Sequence, residues 1–465
     1  MKLKNFGDVQ KRPSKSSKLN LLKHDKNMFS RLLVVPIKSR NINLQEVLKF
    51  NLGPISYSLA SADGSLTKTN KAVLLKVIEQ EVPNNRHIIE APPQGSALMI
   101  DGMAVLQCLK VAKIPPTFKE LAQMILEMIV KIMLFYKSNR VDFVTDRYPD
   151  LSIKYCERNR RAAAGYQRIE IFSGDQKTPT QWKKFLNCGS NKEALVEFLF
   201  KSWCQAILSI TTLEVHLFIA HGDLCHHLCF GNRTLPTVSP IPELTCSHEE
   251  ADTRLLLHAH HAAVSGWSDV IIRSPDTDVA IISLSMQESC QTNLFFATGN
   301  KDQERILDTR CMVEKVGPTL CTSLIGLHSF TGCDSTSFFH GKGKATFFHL
   351  VKENDRYVMA LTQLGESFNA ERELITPLEA LVCQVYKSNT ESVDKARYLL
   401  FCTGSKDGAS LPPTQDALTQ HVKWANYQAT IWSRHCLESQ LEVPSPIGHG
   451  WTADSDGLSS VYLDD

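Results

Sequence analysis

The stretch SDVIIRSPDTDV, residues 268–279, sets the reading of the chain. Its apolar run, Val270 to Ile272, has the length and β-branched content of a buried strand, and Pro275 ends it. Asp276 and Asp278 follow at once, separated by Thr277, with no cation beside them in sequence. Like charges gathered where a strand stops need a reason. Asp after a strand is a common turn residue and helix cap, so each one taken singly has a structural explanation.

The same pattern recurs upstream. ALMI (97–100) runs into Asp101, and DFVT (142–145) runs into Asp146. Strands alternate with helical segments, including LAQMILEMIVKIMLFY (121–136), which reads as a core helix. With Glu127 and Lys131 inside it, it is too short to span a bilayer, so no membrane partner is expected. Alternation of this kind predicts an α/β fold, a three-layer α/β/α domain around a mostly parallel central sheet. In such sheets ligands bind beyond the carboxyl ends of the strands, so all three aspartates would emerge on one edge. The expected organisation is a basic flexible arm over 1–45, the α/β domain over 46–354 with its motifs in 97–350, a helical C-terminal region over 355–445 and an acidic tail over 446–465.

At 465 residues and 43% hydrophobic content the chain can bury a substantial core. The net charge of +2 hides an asymmetry: residues 1–40 hold eleven Lys and Arg against Asp8 and Asp25. That arm reads either as a nucleic-acid contact or nuclear import signal, or as a solvated tail. Lysines interrupt the N-terminus before an apolar signal region could form, and fourteen scattered cysteines suit a reducing compartment. An intracellular location, nucleus ahead of cytoplasm, is expected. LEVHLFIAHGDLCHHLCFG (213–231) gathers His221, Cys225, His226, His227 and Cys229, but it reads more naturally as a β-hairpin turning at Gly222-Asp223 than as a zinc site. HAHH (258–261) reads as partly exposed helix surface.

Clustered carboxylates repel unless a cation compensates. Glu250 and Asp252 of HEEADTR (248–254) and Asp334 of TGCDSTS (331–337) join Asp101, Asp146, Asp276 and Asp278 as candidates. All-oxygen ligands suit hard ions such as Mg²⁺ or Mn²⁺. Two such ions can activate a water and stabilise the leaving oxygen in phosphodiester hydrolysis. Residues i and i+2 within a helix point about 200° apart, so Glu250 and Asp252 converge only if they straddle the helix start. Otherwise Glu249 and Asp252 form the facing pair. Ser247 is the expected helix cap.

Taken in order, IDGMAVL (100–106), VTDRYPDLSIKYCERNRR (144–161), HEEADTR, SPDTDV and TGCDSTS followed by GKGKAT (341–346) resemble the acidic motifs of flap endonuclease/XPG-type nucleases of the PIN-like superfamily. The chain also resembles a group of multi-copy animal proteins linked to mobile elements. The nuclease resemblance spans about Asp101 to Lys344. It implies that Asp101 and Asp146 hold one metal, that Glu250, Asp252, Asp276 and Asp278 complete a two-ion site, and that Asp334 contributes through water. It also implies that Lys154 and Arg161, with Arg158 and Arg160 beside them, steer and polarise the scissile phosphate, although a solvated basic helix face fits them equally. HGKGKAT (340–346) resembles the turn of an element that grips duplex backbone, with Gly341, Lys342, Gly343 and Lys344 as the contacts. About a hundred residues precede Asp101, unlike the family pattern. The expectation is a metal-dependent nuclease acting on nucleic acid, DNA ahead of RNA. The rival is a non-catalytic nucleic-acid-binding or scaffold protein with the same fold.

Overall fold

The computed structural model describes residues 43–51, 55–61, 64–149, 165, 167–299, 304–404, 408–436, 438–454 and 457–461. Most of the basic arm and the segment carrying Lys154, Arg158, Arg160 and Arg161 lie outside the described residues.

In chain order, the elements that build the site are helix α1 (Ala72–Gln80), strands β1 (Ile88–Ile89) and β2 (Ala97–Asp101), and helices α2 (Gly102–Gln107) and α3 (Phe118–Phe135). After them come β3 (Arg140–Val144), α4 (Gly189–Trp203), β4 (Val215–His221), β5 (Leu224–Phe230) and β6 (Thr237–Pro240). Helix α5 (Ala251–Val264), β7 (Asp269–Arg273), α6 (Thr277–Met286), β8 (Asn293–Thr298) and β9 (Arg305–Asp308) complete the sheet region. Helices α7 (Leu324–Phe330), α8 (Lys344–Lys352), α9 (Arg372–Val385) and α10 (Gln415–His435) follow, and then a hairpin of β10 (Trp451–Asp454) and β11 (Gly457–Ser460), inside what reads in sequence as an acidic tail.

The main sheet has the order β1-β9-β8-β7-β2-β3-β4-β5-β6. Its centre, β8-β7-β2-β3-β4, is parallel throughout, and antiparallel strands extend it at both edges. The expected α/β architecture is therefore present, with the parallel pairing confined to the middle. β2 is buried on both faces, and its alternation sends Ala97 and Met99 into one core and Leu98 and Ile100 into the other. The second core packs against α2, α3 and α4. The first takes in α1, α5, α6, α7 and the helices from α8 to α10. α3 is the expected core helix, opened by a capping box between Thr117 and Glu120.

From β2 the chain steps to β3 and β4 on one side, then returns to β7 and β8 on the other. The reversal falls between β2 and β7. That is the topological switch point, where the connections diverge and leave a crevice at the carboxyl edge. Ile100 pairs with both Phe143 and Arg273, so the strands preceding Asp101, Asp146 and Asp276 end level with one another.

Two sequence expectations need correction. His258 of HAHH is fully buried, its Nδ1 lying 2.7 Å from Asp142 Oδ2. Asp142 in turn takes two 2.7 Å bonds from Arg140. The acid that His258 meets comes from inside β3, a partner no helical pattern could indicate. Helix α5 begins at Ala251, not after Ser247. The Ala251 N–H donates to Asp146 Oδ1 at 2.8 Å, so a strand-end carboxylate does the work of the cap, and Ser247 Oγ bonds Leu441 O instead.

Candidate metal centre

Asp101 ends β2 and caps α2, its Oδ1 accepting the Ala104 N–H at 2.9 Å. Gly102 lets that helix start close to β3: a Cβ there would lie 2.8 Å from the Phe143 ring. Burial pushes the Asp101 carboxyl up to about 6, and the nearby Asp146 and Asp276 add to the shift. Ser274 joins the two strand ends. Its Oγ donates to Asp101 Oδ2 at 3.3 Å and accepts the Asp276 N–H at 3.1 Å.

Asp276 caps α6 by accepting the Asp278 N–H at 3.0 Å. This local loop turns both carboxyl groups to the same side of the helix start. Asp252 arrives from α5, and oxygen atoms of Asp252, Asp276 and Asp278 all lie within 4.8 Å of one another. Glu250 occupies the cap position of α5 with extended backbone angles (φ −102°, ψ 140°) and Asp252 lies in the first turn. They straddle the helix start, the condition under which Glu250 and Asp252 can share a site.

The structure answers the repulsion in SPDTDV with a residue from far away. Lys71, at the start of α1, places its Nζ 2.7 Å from Asp278 Oδ2, 3.4 Å from Asp276 Oδ1 and 3.2 Å from Asp334 Oδ1. Burial opposes the charge on Lys71, but the three carboxylates, Asp278 foremost, outweigh it and hold the amine well above its usual value. Asp334 therefore joins the cluster through an ammonium group.

Behind Asp278, a second chain of contacts runs into the core. His328 Nε2 lies 2.8 Å from Asp278 Oδ1, and Lys344 Nζ lies 3.2 Å from His328 Nδ1 and 2.9 Å from His328 O and Thr331 Oγ1. The pattern fits a neutral imidazole that donates from Nε2 and accepts at Nδ1. Burial, followed by the neighbouring Lys344, pushes His328 down to about 4, and burial pushes Lys344 down to about 7. Lys344 is 1% exposed. It supports the site from behind and cannot reach a duplex backbone from there, which corrects the sequence expectation. The apolar spacing of α8 turns its first residue inward, and GKGK alone gives no sign of that. Gly341 and Gly343 are exposed in the turn, and Lys342 is half-buried with its Nζ 4.4 Å from the Tyr386 ring centroid.

Of the carboxylates singled out in sequence, Asp252, Asp276 and Asp278 come together, Asp101 lies beside Asp146 and Asp276, Asp334 joins through Lys71, and Glu250 precedes Asp252 at the start of α5. Lys71, Ser274, His328 and the inward role of Lys344 were not anticipated. For Lys71 there was a signal: a lysine at a helix N-terminus opposes the helix dipole, so its partners must lie elsewhere.

No family model matches the chain, and no curated protein matches it. Among solved structures, it is similar to T5 5′-exonuclease with divalent zinc ions bound, at 14% identity over 71% of this chain and 99% of that one, TM-score 0.34. It is also similar to the catalytic core of Rad2 in complex with DNA substrate, at 12% identity over 74% of this chain and 93% of that one, TM-score 0.33. Likeness at this level transfers no residue's role, and the site stands on its own geometry.

Proposed function

We propose that the chain is a divalent-metal-dependent nuclease, with its centre at the carboxyl edge of β2 and β7. One observation carries the reading: Asp252, Asp276 and Asp278 bring oxygen atoms within 4.8 Å of one another at the switch point, beside Asp101 and Asp146. A donor set made only of carboxylates fits Mg²⁺ or Mn²⁺ in preference to softer ions. Asp101, Asp146, Glu250, Asp252, Asp276 and Asp278 are the residues that would hold two ions, and Asp334 is joined to them through Lys71. Bound there, the ions supply Lewis acidity toward a phosphodiester. Ser274 and the α6 cap fix the carboxylates before any ligand arrives, which is the preorganisation such chemistry requires. Lys71 keeps Asp276, Asp278 and Asp334 from driving one another apart, and its positive charge competes with an entering cation. Lys154 and Arg161, with Arg158 and Arg160, remain the proposed phosphate contacts, and DNA stands ahead of RNA as substrate.

Lys71 also favours a second reading. An ammonium that already bridges three carboxylates could replace a metal altogether, leaving a nucleic-acid-binding protein without catalysis. Incubation with single-stranded, duplex and flap DNA and RNA separates the two. Cleavage that requires Mg²⁺ or Mn²⁺ and stops with chelator supports the nuclease; binding without cleavage under every metal condition supports the rival.

A further inference from the structure

The β4–β5 hairpin carries five sulfur and imidazole side chains that the carboxylate site does not use, together with His216. Strand alternation divides them. His221 and His226 face α4 and pack on Phe200, His221 stacked at 4.3 Å and His226 tilted at 4.6 Å between centroids, and His221 Nδ1 lies 2.9 Å from Glu197. Cys225, His227 and Cys229 take the opposite face. Cys225 is buried beside Leu244 and Cys246. The remaining two meet a partner from the other strand: His216 pairs directly with Cys229, and His227 lies on the diagonal.

His216 Nδ1 lies 3.1 Å from His227 Nε2, and His216, His227 and Cys229 each bring a ligand atom to within 4.8 Å of the other two. The group is half-buried and well supported. The His227 ring stacks on Phe218 at 4.5 Å and 15°, and the Arg140 guanidinium covers Phe218 at 3.9 Å. Glu214 brings an oxygen to 2.9 Å from Cys229 Sγ. Two imidazoles and one sulfur thus converge from β4 and β5, with the exposed Glu214, just before β4, beside the sulfur.

We infer that His216, His227 and Cys229 form a zinc site, with Glu214 or a water as the fourth ligand. Thiolate with imidazole selects Zn²⁺ over the hard ions suited to the aspartate cluster. On binding, the Cys229 S–H bond breaks, its proton passes to solvent and the sulfur's electron pair goes to the metal, with no change of oxidation state. The location assigns the role. β4 runs parallel to β3, so His216 near its start lies at the edge of the sheet opposite the carboxylates. The ion would tie the start of β4 to the end of β5, beside the outer strand β6, whose four residues are all exposed. It is a clamp on the sheet's edge and no part of phosphodiester chemistry.

The test uses the full chain, stripped of metal and titrated with Co²⁺, whose thiolate complexes show a sulfur-to-metal charge-transfer absorption. One equivalent should produce that band, and Zn²⁺ should bleach it. Cys229→Ser should lose it, His227→Asn should lose or weaken it at least tenfold in affinity, and Asp276→Asn should keep it. Absence of the band in the unmodified protein would overturn the site regardless of how any variant folds. So would a band that survives in Cys229→Ser, or one that disappears in Asp276→Asn.

Discussion

Lys71 Nζ stands 2.7 Å from Asp278 Oδ2, an ion pair joining residues 207 positions apart, with Asp278 fully buried and Lys71 20% exposed. Removing one partner of such a pair leaves an uncompensated charge, at a cost of about 3–5 kcal/mol. Lys71→Met should therefore lower metal-free stability by an amount in that range, measured by denaturant unfolding. Under the metal-site account, saturating Mn²⁺ should recover more stability in Lys71→Met than it adds to the unmodified protein, because the competing cation is gone. Equal metal effects in the two proteins would contradict that competition.

Metal binding itself is read from melting temperature. Mg²⁺ or Mn²⁺ that binds only the folded state must raise it by mass action. Asp276→Asn keeps an oxygen to cap α6 but removes a charge, so it should abolish the increase while leaving a folded protein. A shift that persists undiminished in Asp276→Asn would place the ion elsewhere.

The acid side of the stability profile belongs to buried histidines. His421 donates from Nε2 to Phe330 O at 2.7 Å, is enclosed by Phe330, Phe339 and Trp424, and its Nδ1 has no partner among the described residues. Burial pushes it from 6.5 down to about 4, and His258 and His328 also lie at about 4. The unfolded chain then binds more protons than the folded one in this interval. The stability contributed is complete above pH 6.5 and is lost as pH falls through 4. His421→Gln should flatten the slope of stability between pH 6.5 and 4 by about 1.4 kcal/mol per pH unit, one proton's worth. An unchanged slope would mean that His421 does not titrate on unfolding.

The two lysines of GKGK should part company in nucleic-acid binding. Lys342, at the turn, should reduce the salt dependence of binding by about one phosphate contact when changed to Ala, across all sequences. Lys344, buried on His328, should leave that slope unchanged in Lys344→Met while altering stability. Filter-binding titrations at several salt concentrations measure both.

The strand ends were legible because hydrophobic runs stop abruptly at Asp101, Asp146 and Asp276, and a parallel sheet aligns such stops without further instruction. The core helix α3 and the β4–β5 hairpin were legible for the same reason, a local pattern with one physical reading. What sequence could not show is contact between distant segments. Lys71 and Asp278 meet only because α1 packs against α6. Lys344 reads as an exposed turn lysine until α8 is seen to bury its first residue. His216 completes a group with His227 and Cys229 only once the hairpin register is known, and the five Cys and His side chains from His221 to Cys229 belong to two faces of the sheet.

The most direct test is single-turnover cleavage per folded molecule with Mg²⁺ or Mn²⁺, comparing Asp101→Asn and Asp276→Asn with Asp175→Asn, a change at an exposed loop position outside the cluster. The account predicts a metal-dependent rate in the unmodified protein and in Asp175→Asn. It predicts a loss of at least about a hundredfold in each site variant, the scale of removing a principal electrostatic stabiliser, with nucleic-acid binding retained. Equal rates for Asp276→Asn and Asp175→Asn in an active preparation would contradict it.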